Sequence, residues 1–188
     1  MKYDDRNVAG TLIFVGSVQF LLILVIAEAL YKGYSVSGNY ISDLGVGPTA
    51  FIFNSSVFLL GIFAITGAYF IQRAFGCRLL FILLTLTGLG AMGVGLFPET
   101  FGLIHGIASL ITFLFGGLSA IISHKLQKPP HSYFSVLLGT LSLLALVLFT
   151  SNIYLGLDKG GMERMIVYPA LLWGVGFGSY LIGYSEIK

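Results

Sequence analysis

The chain has 188 residues, of which 56 % are hydrophobic and 10 % are charged, and its formal net charge is +2. Soluble domains contain about 25 % charged residues, so this composition excludes an ordinary soluble globular fold. The basic residues are scattered along the chain without a basic run, and this distribution argues against a nucleic-acid partner.

Six apolar stretches are each long enough to cross a bilayer as a helix, which takes about 20 mostly apolar residues. None of them shows the alternating pattern of an outer-membrane barrel strand. We therefore predict an all-α, polytopic transmembrane bundle of six helices that forms one domain over residues 1–188, with no soluble domain. In chain order, the predicted spans are residues 8–31, 49–71, 79–97, 101–123, 134–154 and 165–183.

The basic residues near the span ends predict the orientation of the bundle, because cytoplasmic loops carry an excess of Lys and Arg. One side has seven of them: Lys2, Arg6, Arg73, Arg78, Lys125, Lys128 and Lys188. The other side has three: Lys32, Lys159 and Arg164. Both termini are therefore predicted to be cytoplasmic.

The predicted outer connections are more polar than the inner ones. Residues 32–48 are rich in Gly, Ser and Asn. Residues 97–100 form a tight turn in which Pro98 discourages continuous helix. Residues 155–164 are predicted as a loop, in which Gly160-Gly161 permits backbone angles that are closed to other residues.

Glycine is abundant inside the spans, with 25 residues in the chain. Gly102 and Gly106 are four residues apart, as are Gly174 and Gly178. Small residues at this spacing let helix backbones approach closely in lipid, so both pairs predict close helix packing.

Polar residues inside the spans are candidates for function, because an ionisable group is costly in a membrane. Glu28 lies about one turn from the outer end of its span, and Asn54 and His105 lie at a similar depth in theirs. Structural roles stay open for all three. Glu28 could be neutral and hydrogen-bonded, and Asn54 and His105 could each bond a neighbouring helix.

Six further polar residues in the outer connections lie above this level: Ser42, Asp43, Glu99, Asp158, Glu163 and Arg164. Ser42 and Asp43 are good caps for a short helix, and Arg164 could instead extend to lipid phosphates. The sharper hypothesis is one site, in which residues 32–48 fold over the bundle and place Asp43 beside Arg164 or His105. A buried carboxylate next to Arg gains a charge-assisted hydrogen bond.

The candidate ligand-binding residues are therefore Glu28, Ser42, Asp43, Asn54, His105, Glu163 and Arg164. Zinc requires three or four converging ligands, and the other histidines, His124 and His131, lie on the predicted inner side. No metal site, catalytic residue or cofactor is predicted.

From Asn39–Gly45 onwards the chain resembles the prokaryotic six-helix membrane proteins of domain-of-unknown-function family 998. The matching residues follow in order along the chain: Ser42-Asp43-Leu44-Gly45, Asn54, Phe97-Pro98, His105 and Gly161-Met162-Glu163-Arg164. The resemblance implies a multi-pass protein of an archaeal or bacterial cytoplasmic membrane, with Asp43, His105, Glu163 and Arg164 as the residues to test. It implies no activity.

The first functional hypothesis is that the polar cluster binds a membrane lipid headgroup or a small amphiphile. In it, Arg164 meets a phosphate, and Asn54 and Ser42 bond hydroxyl groups. One alternative is an accessory subunit with a protein partner in a larger membrane complex, since the chain is small and Gly-rich. The other is an intramembrane hydrolase that uses Asp43 and His105. The sequence favours a role other than catalysis.

Overall fold

A computed structural model describes residues 4–183 of the chain. Within that range there is no strand, and six long helices are each apolar enough to span a membrane. The predicted all-α transmembrane bundle is therefore confirmed. The helices are α1 (Asp5–Leu30), α2 (Ala50–Phe75), α3 (Arg78–Leu96), α4 (Leu103–Ile122), α5 (His131–Thr150) and α6 (Asp158–Gly183).

The six helices of the described range form a ring in chain order, in which each packs against the next and α6 packs against α1. The connections α1–α2, α3–α4 and α5–α6 lie together at one end of the bundle, called here the loop end. Lys2 and Lys188, which were counted for the predicted orientation, lie outside the described residues.

Glycines set the spacing of the neighbouring helices. A Cβ atom on Gly61 of α2 would lie 2.5 Å from the carbonyl oxygen of Gly88 on α3. On α1, a Cβ atom at Gly10 would lie 2.7 Å from the carbonyl oxygen of Gly178 on α6. No side chain fits at these positions, so the backbones touch, as close packing of helices in lipid requires.

The two predicted glycine pairs differ in outcome. Gly174 and Gly178 do face α1 closely, and a Cβ atom on Gly174 would collide with the hydroxyl of Ser17. For Gly102 and Gly106 the prediction is wrong, because an added Cβ atom would meet nothing within 4 Å at either residue. A spacing of four residues puts glycines on one face but does not say that another helix covers it.

Several helix ends differ from the predicted spans, most of all that of α6. This helix begins at Asp158 rather than at residue 165, so most of the predicted 155–164 loop is helical. Gly160 lies in the helix and packs on the α1–α2 connection, where its N–H donates to the Ser37 carbonyl at 2.8 Å. A Cβ atom at this position would collide with the Asn39 carbonyl oxygen. The glycine is required for close approach and not for unusual backbone angles.

The α1–α2 connection folds back over the loop end. Its middle forms a 3-10 helix, Ser42–Gly45, flanked by buried apolar side chains. Ile41 is 4 % exposed and Leu44 is fully buried, and both belong to the core cluster that contains Phe20 and Phe53. Apolar burial therefore holds this connection against the helices and places its polar residues over the interior of the bundle.

Candidate functional site

Arg164 is buried near the loop end of α6, at 4 % exposure, and all five of its N–H groups have acceptors. Nε and Nη2 donate to Glu28 Oε1 of α1 at 3.2 and 2.5 Å. Nη2 also donates to the Tyr34 hydroxyl at 2.7 Å. Nη1 donates to the carbonyl oxygens of Asn39, at 3.3 Å, and Gly160, at 2.9 Å. A guanidinium has five donors, so none is left for a ligand.

Tyr34 extends this arrangement into the α1–α2 connection. Burial raises the pKa of Tyr34 to about 12, so the phenol keeps its proton at neutral pH. That proton is donated to the Tyr40 carbonyl oxygen at 2.8 Å. A role for Tyr34 was not predicted, because its neighbours in space come from other parts of the chain.

The predicted ion pair between Asp43 and Arg164 is wrong, because the carboxylate partner of Arg164 is Glu28. Asp43 Oδ2 instead accepts hydrogen bonds from Asn39 Nδ2 at 2.8 Å and from the Tyr40 N–H at 3.0 Å. Asp43 therefore stabilises its own turn. The predicted contact between Arg164 and a lipid phosphate stays a prediction, and the complete hydrogen bonding of the guanidinium within the protein argues against it.

Glu163 bonds the α1–α2 connection from the interior of the bundle. It is 6 % exposed, and its Oε2 accepts a hydrogen bond from the Ile41 N–H at 2.5 Å. Successive helical residues differ in direction by about 100°, so Glu163 and Arg164 approach the connection from two sides. Together they fix the backbone from Asn39 to Ile41.

His105 and Asn54 each bond a backbone carbonyl near the loop end. His105 Nδ1 lies 2.8 Å from the Phe97 carbonyl oxygen. A carbonyl only accepts, so Nδ1 carries the hydrogen of this bond, and Nε2 is the ring nitrogen that is left for another partner. Asn54 Nδ2 donates to the Gly45 carbonyl at 2.9 Å, which anchors the end of the 3-10 helix.

Three of the seven candidates line one cavity of about 120 Å³ inside the bundle: Ser42, His105 and Glu163. The cavity lies among α1, α2, α3, α4 and α6, and these three polar residues lie at its loop end. The part of α6 that lines it, from Glu163 to Gly174, is about 16 Å long at 1.5 Å per residue. Most of the remaining lining is apolar and includes Ile13, Phe20, Val57, Leu84, Ile166 and Trp173.

A second polar group joins the two longer connections at the loop end. The Ser42 hydroxyl donates to Glu99 Oε2 at 3.2 Å, and the carboxyl group of Asp43 lies close to that of Glu99. Burial, followed by the interaction with Asp43, raises the pKa of Glu99 above its ordinary value. Glu99 was not among the predicted site residues.

The hydrolase alternative would bring Ser42 or Asp43 into contact with His105. Ser42 donates to Glu99, and His105 Nδ1 is bonded to a backbone carbonyl. Among residues 4–183, no hydrogen bond joins Ser42 or Asp43 to His105. The same part of the chain contains no group of three His, Cys, Asp or Glu residues that could hold a metal ion.

Comparison with known proteins identifies the family. Residues 14–180 match the model of a family described as protein of unknown function (DUF998), so the chain belongs to that family, as the sequence resemblance predicted. No curated protein and no solved structure matches the chain.

The Arg164–Glu28 pair yields a prediction for stability. Replacing one partner, as in Arg164→Gln or Glu28→Gln, should lower the free energy of unfolding by about 3–5 kcal/mol, because the other charge stays buried. The double variant should lose less than the sum of the two. Reversible denaturant unfolding in detergent, followed by circular dichroism, measures all three.

The matched control for this prediction is the exposed pair Arg73–Asp5, with 3.1 Å between Nε and Oδ2 and 52 % of the Arg73 side chain exposed. Arg73→Gln should cost no more than about 1 kcal/mol. Equal losses for Arg73→Gln and Arg164→Gln would show that the buried pair does not stabilise the loop end.

Glu99 yields a prediction for pH dependence. A carboxyl whose pKa is raised on folding binds its proton more tightly in the folded state, so it stabilises the protein at low pH. This stability should be fully present below the ordinary value of 4.5 and should be lost as the pH rises through the folded pKa. The unfolding free energy of wild type minus that of Glu99→Gln, measured from pH 4 to pH 8, should therefore decrease as the pH rises.

Asp4 provides a control of opposite sign, because hydrogen bonds from Arg6 lower its pKa. Stability due to Asp4 should be present above its ordinary value of 3.8 and lost below it. The difference between wild type and Asp4→Asn should therefore stay constant from pH 4 to pH 8 and decrease only when the pH is lowered further. A difference between wild type and Glu99→Gln that does not change with pH would contradict the arrangement of Glu99 beside Asp43.

Proposed function

We propose that this member of the DUF998 family binds a single-chain amphiphile in the cavity among α1, α2, α3, α4 and α6. The supporting observation is the polarity of that cavity, which has Ser42, His105 and Glu163 at its loop end and mainly apolar side chains along the rest. A polar head and an apolar chain match this distribution. Ligand sites in proteins are typically apolar, with a few polar groups that fix orientation.

The size of the cavity supports a slender ligand. One water molecule needs roughly 10–15 Å³ of cavity volume, so a cavity of 120 Å³ has room for about ten water-sized groups. Ten methylene groups form a chain of about the length that the cavity offers. A phospholipid with two acyl chains exceeds this volume, which favours a ligand with one chain.

An empty cavity of this kind would be costly. Protein interiors are close-packed with few voids larger than water, and destabilisation grows with cavity volume at about 24 cal/mol per Å³. The remaining interior of the bundle is tight, with backbone contact between glycines on neighbouring helices. A void confined to one axis of a tight bundle is better explained by an occupant than by loose packing.

The protein is further proposed to lie in the cytoplasmic membrane of a prokaryote, with both termini in the cytoplasm and the loop end outside. The distribution of Lys and Arg supports this orientation. The polar end of the cavity then lies near the outer leaflet. The subunit and hydrolase alternatives stay predictions, since no contact described above favours either one.

Filling the cavity should abolish binding. Gly116 lines the cavity, and a Cβ atom there would make ordinary contact with Thr87 at 3.5 Å, so Gly116→Leu should fold and occupy the space. Lipid extracted from the purified wild-type protein should contain a bound single-chain amphiphile, identified by mass spectrometry. Gly116→Leu should retain less than about a tenth of it, as expected if more than about 1.4 kcal/mol of binding free energy is lost.

Gly106→Leu is the matched control, because Gly106 lies on the same helix with nothing within 4 Å of an added Cβ atom. It should retain the amphiphile at the wild-type level. Equal retention by wild type and both variants would refute binding in the cavity.

The orientation predicts which cysteines react from outside the cell. The native Cys77 lies between α2 and α3 at the end opposite the loop end. A membrane-impermeant maleimide should label it only after permeabilisation. In a Cys77→Ser background, Thr100→Cys at the exposed loop end should be labelled in intact cells. Labelling of Cys77 in intact cells, with labelling of Thr100→Cys only after permeabilisation, would show that the topology is opposite to the proposed one.

A further inference from the structure

We infer that the head group of the bound amphiphile is a hydrogen-bond donor, a hydroxyl or a protonated amine, and not a phosphate or a carboxylate. This inference rests on the proposed function, since it specifies the ligand class of the same cavity. It follows from the hydrogen-bond donors and acceptors at the polar end, because some are bonded within the protein and others remain for a ligand.

The side chains at the polar end offer acceptors. Glu163 is buried, and the one hydrogen bond that it accepts within the described chain is from the Ile41 N–H. A carboxylate has about four acceptor positions, and a protonated carboxyl keeps some of them. Glu163 can therefore accept from a ligand in either protonation state.

His105 and Ser42 have their donors engaged elsewhere. The Nδ1 hydrogen of His105 is directed at the Phe97 carbonyl, and in the imidazole tautomer that carries its hydrogen on Nδ1 the other nitrogen, Nε2, is an acceptor. The Ser42 hydroxyl hydrogen is donated to Glu99, so its oxygen lone pairs are what it can offer a ligand. The three polar residues at the loop end of the cavity therefore offer acceptors to a ligand, and the other polar residues of the lining are the uncharged Ser17, Thr87, Ser109 and Thr112.

In the described part of the chain no Lys or Arg side chain lines the cavity, and the hydroxyls of Ser17 and Ser109 are neutral donors in its lining. Arg164 has five acceptors for its five N–H groups, from Glu28, Tyr34, Asn39 and Gly160. An anionic head group would find no cationic side chain in the lining that residues 4–183 provide, and it would have to share the cavity with the Glu163 carboxyl. Burial of an uncompensated charge is strongly unfavourable, so anions are disfavoured twice.

Four probes with the same ten-carbon chain test the inference: 1-decanol, decylamine, decyl phosphate and decanoate. The protein is reconstituted in lipid nanodiscs, and its melting temperature is measured as each probe is added, because a ligand that binds the folded state raises it. Decanol and decylamine should raise the melting temperature in wild type and in Gly106→Leu. Neither should do so in Gly116→Leu, and the two anions should have no effect.

Glu163→Gln tests the group that selects the amine. Glutamine keeps an oxygen that accepts from the Ile41 N–H, so the connection should stay in place. The variant should bind decylamine about tenfold more weakly, the loss expected for one hydrogen bond to a charged group, while its affinity for decanol changes much less. A merely structural role of Glu163 would weaken both probes equally, and that result would overturn the inference.

The outcomes separate this inference from the proposed function. Decyl phosphate or decanoate binding as tightly as decylamine, with the effect abolished in Gly116→Leu, would overturn the ligand class and leave amphiphile binding intact. Shifts that are unchanged in Gly116→Leu, or no shift with any of the four probes, would overturn the proposed function itself.

Discussion

The loop end depends on the complete hydrogen bonding of Arg164. A buried guanidinium is tolerated only when its charge is paired and its donors are satisfied. Glu28 supplies the charge from α1, Tyr34 and the Asn39 carbonyl supply acceptors from the α1–α2 connection, and Gly160 supplies one from α6. One side chain thereby fixes two helices and a long connection relative to one another, and the other features of the site follow from that position.

The neighbouring residue, Glu163, uses the same anchored segment for a different purpose. With Asn39 held by Arg164, the Ile41 N–H is directed at Glu163, and Ser42 follows directly above the cavity. The two adjacent residues of α6 therefore have different roles, since Arg164 faces α1 and Glu163 faces the bundle axis. The cationic group is enclosed outside the cavity, and the acidic group lines it.

The fold was predictable because a bilayer permits few solutions. A segment that crosses the hydrocarbon core must satisfy its backbone internally, so six apolar stretches predict six helices whatever else the sequence contains. The same hydropathy signal failed at the start of α6, where the polar residues from Asp158 to Arg164 resemble a loop. They are helical because they bond the α1–α2 connection, and no local property of the sequence indicates that partner.

The site was predictable as a set of residue types but not as a set of partners. The cost of an ionisable group in a membrane singled out Glu28 and His105 as residues that need an explanation, and Arg164 was placed above them in a predicted loop. Hydropathy does not encode which helices are neighbours, so Asp43, close to the other candidates in the predicted loops, was assigned to Arg164 in place of Glu28. That assignment matters for chemistry. An Arg164 free to meet a ligand would select anions, whereas an Arg164 committed to Glu28 leaves Glu163, His105 and Ser42 at the polar end of the cavity, and this is why the proposed ligand has a donor rather than an anion as its head group.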